Sequence, residues 1–429
     1  MGLVFIVLFG LMLLGVPVAF AIISSGVTYL AITDVNVAVL AQRMVYGLNS
    51  FTLLAVPLFI LVGNLMDFGG ISRRLTDWAK SLLGWLPGGL GVVTVFSCAI
   101  FAALTGSGPA TVAAIGSIML PAMTKAGYSK GTGAGLVASA GALGPIIPPS
   151  IPMIIYGVTM NLSIPAMFVA GIVPGLVIAG ALSIVNIVFA YRNPKVLEFA
   201  KTVKFDAKDC LQKFWRALGA LGLPVLILGG IYGGIFTPTE SAAIGIVYAA
   251  ILGLYLGELK IKDFPQILIS SLKTSTMVNF ITASASLFSW VISKSRVGGV
   301  ISAGFIDMVG GNKELYLFVL VVILLIVGCL MDNIAATLIL APILIPVGIT
   351  LGLNKLHLGM LFTICLVVGF VTPPFGYNLF TAISISGLNF KQIVKGSMPF
   401  LVTEIVLLFV FAYCPWIITW LPKLIGFKI

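Results

Sequence analysis

Runs of apolar residues separated by short charged loops recur from the first residue of this 429-residue chain to the last. No other feature restricts the fold so much, because one α-helical crossing of a hydrocarbon core takes about 20 apolar residues. The length then allows on the order of a dozen crossings. Only 9 % of the residues are charged, where soluble domains average about 25 %. The chain reads as an all-α polytopic membrane protein. A secreted domain, a soluble enzyme, a coiled coil and a disordered chain are excluded, and the alternating ten-residue segments of an outer-membrane barrel are missing. The net charge of +11 comes from lysines and arginines in loops, where membrane topology accounts for them without a nucleic acid. Cys98, Cys210, Cys329, Cys365 and Cys414 lie far apart. With no metal or redox spacing they read as small apolar residues.

Continuous spans are expected at Leu3–Ile23, Thr52–Met66, Ile164–Tyr191, Leu218–Phe236, Ser241–Leu256 and Ser397–Trp420. The first has no basic leader segment ahead of it and reads as a membrane helix, not a signal peptide. Ile71–Trp85 and Asn193–Trp215 mix charged and apolar residues. They fit helices lying in the interface plane, anchored by Trp and Lys, or ordinary loops.

A repeat organises the chain. Shifted by 225 positions, Gly106–Pro149 falls without gaps on Met331–Pro374. Pro121 meets Pro346, Gly127 meets Gly352, Gly144 meets Gly369, and Pro148-Pro149 meets Pro373-Pro374. Matched punctuation of this kind marks a duplicated structural unit. In each copy an apolar run reaches a polar break and a second run leads to a charged turn. A long apolar helix follows, interrupted by Gly144–Pro149 or Gly369–Pro374. The first two runs span about 13–18 residues, short for separate crossings. They are expected as the arms of a re-entrant hairpin, and the third element as a discontinuous helix.

Five crossings separate the two hairpins in this reading, so the copies point in opposite directions, an inverted-topology repeat. The charges agree. With the first hairpin opening to the cytoplasm, Arg73, Arg74, Lys80, Lys125, Lys130, the 192–216 cluster, Lys260, Lys262, Lys391 and Lys395 fall inside. Arg43, Lys313, Lys355, Lys423 and Lys428 remain outside, a positive-inside bias. Broken helices and hairpin tips expose backbone polar groups at membrane depth, which costs several kcal/mol each unless protein, ions or water satisfy them. Two inverted copies of such elements imply a secondary transporter, with substrate and coupling-ion sites at the repeat interface.

The first tip is Thr105-Gly106-Ser107-Gly108-Pro109-Ala110-Thr111. Ser107 is placed to cap a helix with Pro109 in its first turn, either as a plain capped kink or as part of an ion site. The second tip is Met331-Asp332-Asn333-Ile334-Ala335-Ala336-Thr337. Asp332 either binds a cation or caps the following helix, and an intramembrane carboxylate is functional by default. Thr237-Pro238-Thr239-Glu240 reads as a capping box. Arg296 either pairs with a substrate carboxylate through its planar fork or snorkels to the interface.

These residues resemble the large membrane subunit of tripartite ATP-independent periplasmic (TRAP) transporters, along essentially the whole chain. The resemblance rests on Pro57–Met66 with Gly69-Gly70-Ile71, the two tips, Gly144–Pro149, Gly234–Glu240 and Thr372-Pro373-Pro374-Phe375-Gly376. It implies sodium-driven uptake of an organic acid, with sialic acid expected first and four-carbon dicarboxylates as the alternative. It also implies a separate small four-helix membrane subunit, a periplasmic substrate-binding protein, and residence in the bacterial inner membrane with a periplasmic N-terminus. Transport would be an elevator motion. Residues 91–160 and 315–386 are expected as the transport domain, and 1–90, 161–314 and 387–429 as scaffold. Carried over to matching positions, sodium is expected at Ser107 and Gly108 with Gly144 and Pro148, and at Asp332 and Asn333 with Gly369, Thr372 and Pro373. Thr105, Pro109, Thr111, Ser150, Arg296, Thr337 and Phe375 are expected around the substrate. No transition metal or organic cofactor is implied.

Two rivals have different signatures. A sodium–dicarboxylate symporter would share the architecture but need no binding protein. A hydrolase using Ser107 needs a base within reach, and the sole histidine, His357, lies beside the other hairpin.

Overall fold

The computed structural model describes residues 1–429 apart from Arg296, Lys428 and Ile429, and gives only the backbone of Gly298, Ile301 and Ser302. The expected substrate residue Arg296 and the outside charge Lys428 therefore lie outside the described residues. Among those described, every regular element is a helix. Among the described residues, eight helices are long and apolar enough to cross a membrane.

The N-terminus departs from the expected single helix over Leu3–Ile23. It forms α1 (Gly2–Leu13) and α2 (Val18–Ile32), packed against each other. The chain turns between them because Gly15 sits at φ +82°, a conformation open to glycine. Pro17, just before α2, has no N–H to extend a helix from α1. The hydropathy of the span is continuous across this turn, which is why the sequence reads as one crossing.

Next come α3 (Ala38–Leu48) and a short 3-10 turn, Phe51–Leu54, that runs into α4 (Ala55–Phe68). The mixed segment that follows is a helix, α5 (Ile71–Leu83). Ile71, Leu75, Thr76 and Ala79 form its buried face, and its charged residues fall on the rest of the cylinder.

The first repeat is α6 (Gly89–Thr105), α7 (Gly108–Lys125), α8 (Lys130–Gly141), a break, and α9 (Ile151–Thr159). The long helix α10 (Ile164–Tyr191) has the bounds read from the sequence. The Asn193–Trp215 stretch becomes α11 (Pro194–Thr202) and the start of α12 (Ala207–Tyr232). The Thr237/Glu240 capping box is formed and opens α13 (Pro238–Tyr255). Two helices, α14 (Phe264–Lys294) and α15 (Val297–Val309), lead to the second repeat. That repeat is α16 (Lys313–Leu330), α17 (Asn333–Thr350), α18 (Lys355–Gly369), a break, and α19 (Tyr377–Ser386). The last expected span divides at Cys414-Pro415 into α20 (Phe390–Tyr413) and α21 (Trp416–Ile425).

The elements repeat as the sequence does. α7 and α17 have 18 residues each and begin 225 positions apart, at 108 and 333. α16 and α17, at 18 residues each, are both among the eight helices long enough to cross. The shorter lengths read from the sequence stopped at polar flanks, such as Lys313 and Glu314, that the helix includes.

Helices in lipid are held by close packing, not by a hydrophobic force between them. The contact of α8 with α20 is the closest example. A Cβ on Gly135 would overlap the Gly396–Ser397 peptide, and one on Gly396 would overlap the Gly131–Thr132 peptide. Only glycines allow two backbones to approach so nearly.

Candidate functional site

Each tip is shaped by local sequence. After α6, Gly106 turns the chain at φ +60°. Ser107 is extended, and Pro109 lies in the first turn of α7. At the second tip Met331 is extended and Asp332 occupies the N-cap of α17. Both helix N-termini carry partial positive charge, and at α17 the Asp332 carboxylate takes two of the N–H groups.

The two N-cap residues behave differently. Ser107 makes no side-chain cap bond, so the plain capped kink is not formed and its hydroxyl is free of that duty. Asp332 does cap. Its Oδ2 accepts from the Ile334 N–H at 2.9 Å and the Ala335 N–H at 3.4 Å, and its Oδ1 takes neither bond.

Both tips open on one cavity of about 200 Å³. Gly106, Ser107, Gly108 and Pro109 line it from the first tip, and Asp332, Asn333 and Ile334 from the second. Phe370 and Tyr377 flank the second break and complete that side, their rings 5.3 Å apart. The wall opposite is made by Thr274, Met277 and Val278 of α14 and Ile60 of α4. The repeats interlock around this point, because α9 packs on α17 while α19 packs on α7.

Five expected residues thus line one space: Ser107, Gly108, Pro109, Asp332 and Asn333. Others stand behind them. A Cβ on Gly144 would come 2.5 Å from the Ser107 carbonyl oxygen, so the first break rests on the first tip. Gly369 presses in the same way on the backbone of Gly328 and Cys329. Pro148 is buried in the first break. Both Pro-Pro bonds, Pro148-Pro149 and Pro373-Pro374, are cis. The Thr111 hydroxyl donates to the Ser107 carbonyl at 2.8 Å and lies 3.2 Å from the Thr105 hydroxyl. Ser150 caps α9, and its hydroxyl donates to the Pro145 carbonyl.

The remaining expected residues among those described do not line the cavity. The Thr372 hydroxyl donates to the Val368 carbonyl at 3.0 Å within its own turn. Thr337 is buried one turn into α17, Pro373 is half-buried, and Phe375 is exposed.

Sequence reasoning missed Tyr377, Phe370, Thr274 and Asn378. Asn378 is fully buried and its side-chain N–H donates to the Ala138 carbonyl at 3.0 Å. This ties the second broken helix to the helix before the first break. Its Oδ1 has no hydrogen-bond partner among the described residues. The hydroxyl-rich stretch around Thr274, with Ser270, Ser271 and Ser275, is a local signal in α14. His357 bonds the Phe411 carbonyl at 2.8 Å, away from Ser107, and so supplies no base there.

A hydroxyl, a carboxylate, an amide and backbone carbonyls around one small space are hard oxygen donors of the kind that bind alkali or alkaline-earth cations. The two helix N-termini beside them favour an anion. A multi-pass helical protein whose two broken repeats meet at one polar cavity has the architecture of a membrane transporter.

The family comparisons make this specific. A model of the tripartite ATP-independent periplasmic transporter, DctM component, matches residues 5–417. The C4-dicarboxylate TRAP transporter large permease protein DctM of Pseudomonas aeruginosa is 37 % identical over 405 residues, covering 94 % of each chain. The isethionate TRAP transporter permease protein DctMQ of Oleidesulfovibrio alaskensis is 38 % identical over 416 residues, 95 % of this chain and 65 % of its own. The sialic acid TRAP transporter large permease protein SiaM of Vibrio cholerae is 33 % identical over 419 residues, covering 97 % of this chain and 96 % of its own. The chain belongs to the TRAP transporter large permease (DctM) family. It is a transporter component and not an enzyme.

Proposed function

We propose that this chain is the translocating subunit of a sodium-coupled uptake system for an organic acid anion in the bacterial inner membrane. The observation that carries the reading is the single cavity shared by Ser107 of one repeat and Asp332 and Asn333 of the other. Sodium is bound by Ser107 and Gly108 with the Gly144–Pro149 break, and by Asp332 and Asn333 with the Gly369–Pro374 break. The substrate carboxylate meets the N-termini of α7 and α17 between them. Thr105, Thr111, Ser150 and Thr337 support this arrangement from behind the cavity wall, and Tyr377 and Thr274 join it.

The cycle is an elevator motion of inverted repeats, with 91–160 and 315–386 moving against scaffold helices. The close packing of α20 on α8 supports counting α20 with the moving body. A periplasmic binding protein delivers the substrate, and a separate small four-helix membrane subunit completes the scaffold. The N-terminus lies on the periplasmic side. Bringing in an anion against a negative-inside potential costs about 2.3 kcal/mol per charge per 100 mV. Two or more sodium ions per monoanion make the cycle inward-driven.

Sialic acid is one substrate reading, and a relative named for it aligns along nearly the whole chain. Four-carbon dicarboxylates are the second. A relative named for C4-dicarboxylates also aligns along nearly the whole chain. The test is uptake of labelled sialic acid and succinate into liposomes holding this chain and its small subunit. It is run with and without binding protein, under inward sodium or potassium gradients. Uptake that needs both sodium and binding protein is expected, and the labelled acid that enters names the substrate. Sodium-driven uptake without binding protein would instead mean a simple symporter.

A further inference from the structure

A second cavity, of about 280 Å³, lies far from the tips, between α5, α12 and the loop after α13. It is lined by Gly70, Arg73, Arg74, Asp77, Lys213, Arg216 and Glu258. Four cations face two carboxylates, a surplus of two positive charges. The carboxylates do not neutralise it. Asp77 is engaged by Lys80 at 3.7 Å, and the Arg74–Glu258 pair is long, at 3.8 Å. Lys213 takes its partner, Asp209, from outside the cavity. Among the described residues Arg73 and Arg216 have no ion-pair partner. The Nε of Arg74 is buried and has no hydrogen-bond partner.

The helices that form this cavity, and the segments beside them, also carry aromatic side chains. Trp78 packs between Phe96 and Phe214, and Trp85 in the turn after α5, Phe205 just before α12 and Trp215 on α12 are exposed. Exposed tryptophans beside lysines and arginines mark the headgroup level of a bilayer. Guanidinium forks with spare N–H donors bind phosphate oxygens in pairs.

We propose that this cavity binds the phosphate of an anionic phospholipid from the cytoplasmic leaflet, bridging α5 to α12. The leaflet assignment rests on the orientation proposed above; the binding itself does not depend on the transport reading. Because α5 leads directly into α6, the lipid would fix the base of the first repeat. Free inorganic phosphate offers the same chemistry and is distinguished by competition.

The experiment measures quenching of tryptophan fluorescence by brominated phosphatidylglycerol and brominated phosphatidylcholine, with the purified chain and its small subunit in mixed micelles. The wild type is expected to prefer the anionic lipid. Each positive charge removed from such a site lowers anionic-lipid binding by roughly fivefold. Arg73→Gln and Arg216→Gln should therefore each weaken the preference about fivefold, while Arg73→Lys, which keeps the charge but loses the fork, should fall between wild type and Arg73→Gln. Lys423→Gln, on a distant helix, should leave it unchanged. Equal quenching by the two lipids, or a preference unchanged in both Gln variants, would overturn the proposal. Displacement of the lipid by millimolar inorganic phosphate would assign the cavity to free phosphate and overturn the lipid reading. Circular dichroism of each variant separates a binding loss from misfolding, and none of these readouts depends on uptake.

Discussion

Gly144→Ala tests whether the first break and the first tip act as one unit. A methyl group on Gly144 would lie 2.5 Å from the Ser107 carbonyl oxygen, 2.7 Å from its carbon and 2.9 Å from the Thr111 hydroxyl. Comfortable carbon contacts begin near 3.5 Å, so the tip must retreat by about 1 Å. Two of the three atoms are backbone, and no rotamer change relieves them. Overpacking of this kind costs about 1–3 kcal/mol. The displaced groups are those proposed to hold sodium, so the variant should also lose part of its stabilisation by the ion. A tenfold loss of affinity removes about 1.4 kcal/mol of that stabilisation at saturating sodium. The assay is thermal unfolding of the purified chain in matched sodium and potassium buffers. Gly180→Ala is the control, because nothing lies within 4 Å of a Cβ there and a helix-interior alanine is favoured by up to about 1 kcal/mol. If Gly144→Ala unfolds at the wild-type temperature with the full sodium response, the contact between break and tip has no energetic meaning and the reasoning fails.

Three further substitutions separate structure from ion binding. Ser107→Ala should change thermal stability by less than about 0.5 kcal/mol, because no cap bond is lost, yet lower sodium-driven uptake by at least about tenfold; unchanged uptake would remove Ser107 from the ion site. Asp332→Asn keeps a capping side chain, whereas Asp332→Ala loses about 0.5–2 kcal/mol; both should abolish the sodium dependence of uptake, and an Asn variant with normal dependence would leave Asp332 as a cap alone. Glu404 is fully buried in α20 and neither carboxylate oxygen has a partner among the described residues. Glu404→Met should therefore raise the unfolding temperature, by the equivalent of about 1–3 kcal/mol, and a lower temperature would mean the carboxylate has a partner that stabilises it.

Much of the architecture is written locally. Pro121 and Pro346, or Gly144 and Gly369, punctuate the two repeats at one spacing, and the helices begin and end accordingly. Ile164–Tyr191 is bounded by Ser163, which caps it, and by Arg192. Hydropathy failed where an apolar run hides a turn, as at Gly15–Pro17, since it averages over backbone conformation. The tip residues of the site were legible because polar residues inside apolar runs are conspicuous. Asn378 and Thr274 were not, because what gives them meaning is a neighbour far away in the chain. Asn378 meets Ala138 across 240 positions, and no local pattern announces such a contact.

The glycine contact between α8 and α20 also has a consequence for biosynthesis. Gly135 and Gly396 are separated by 261 positions (396 less 135), and chains grow at about 5–20 residues per second. For roughly 13 to 50 seconds after Gly135 is made, the groove that will take the last long helix has no protein to fill it. The first repeat enters the bilayer before its final neighbour has been synthesised. During that interval lipid tails must cover the glycine face of α8, and α20 completes the fold by displacing them.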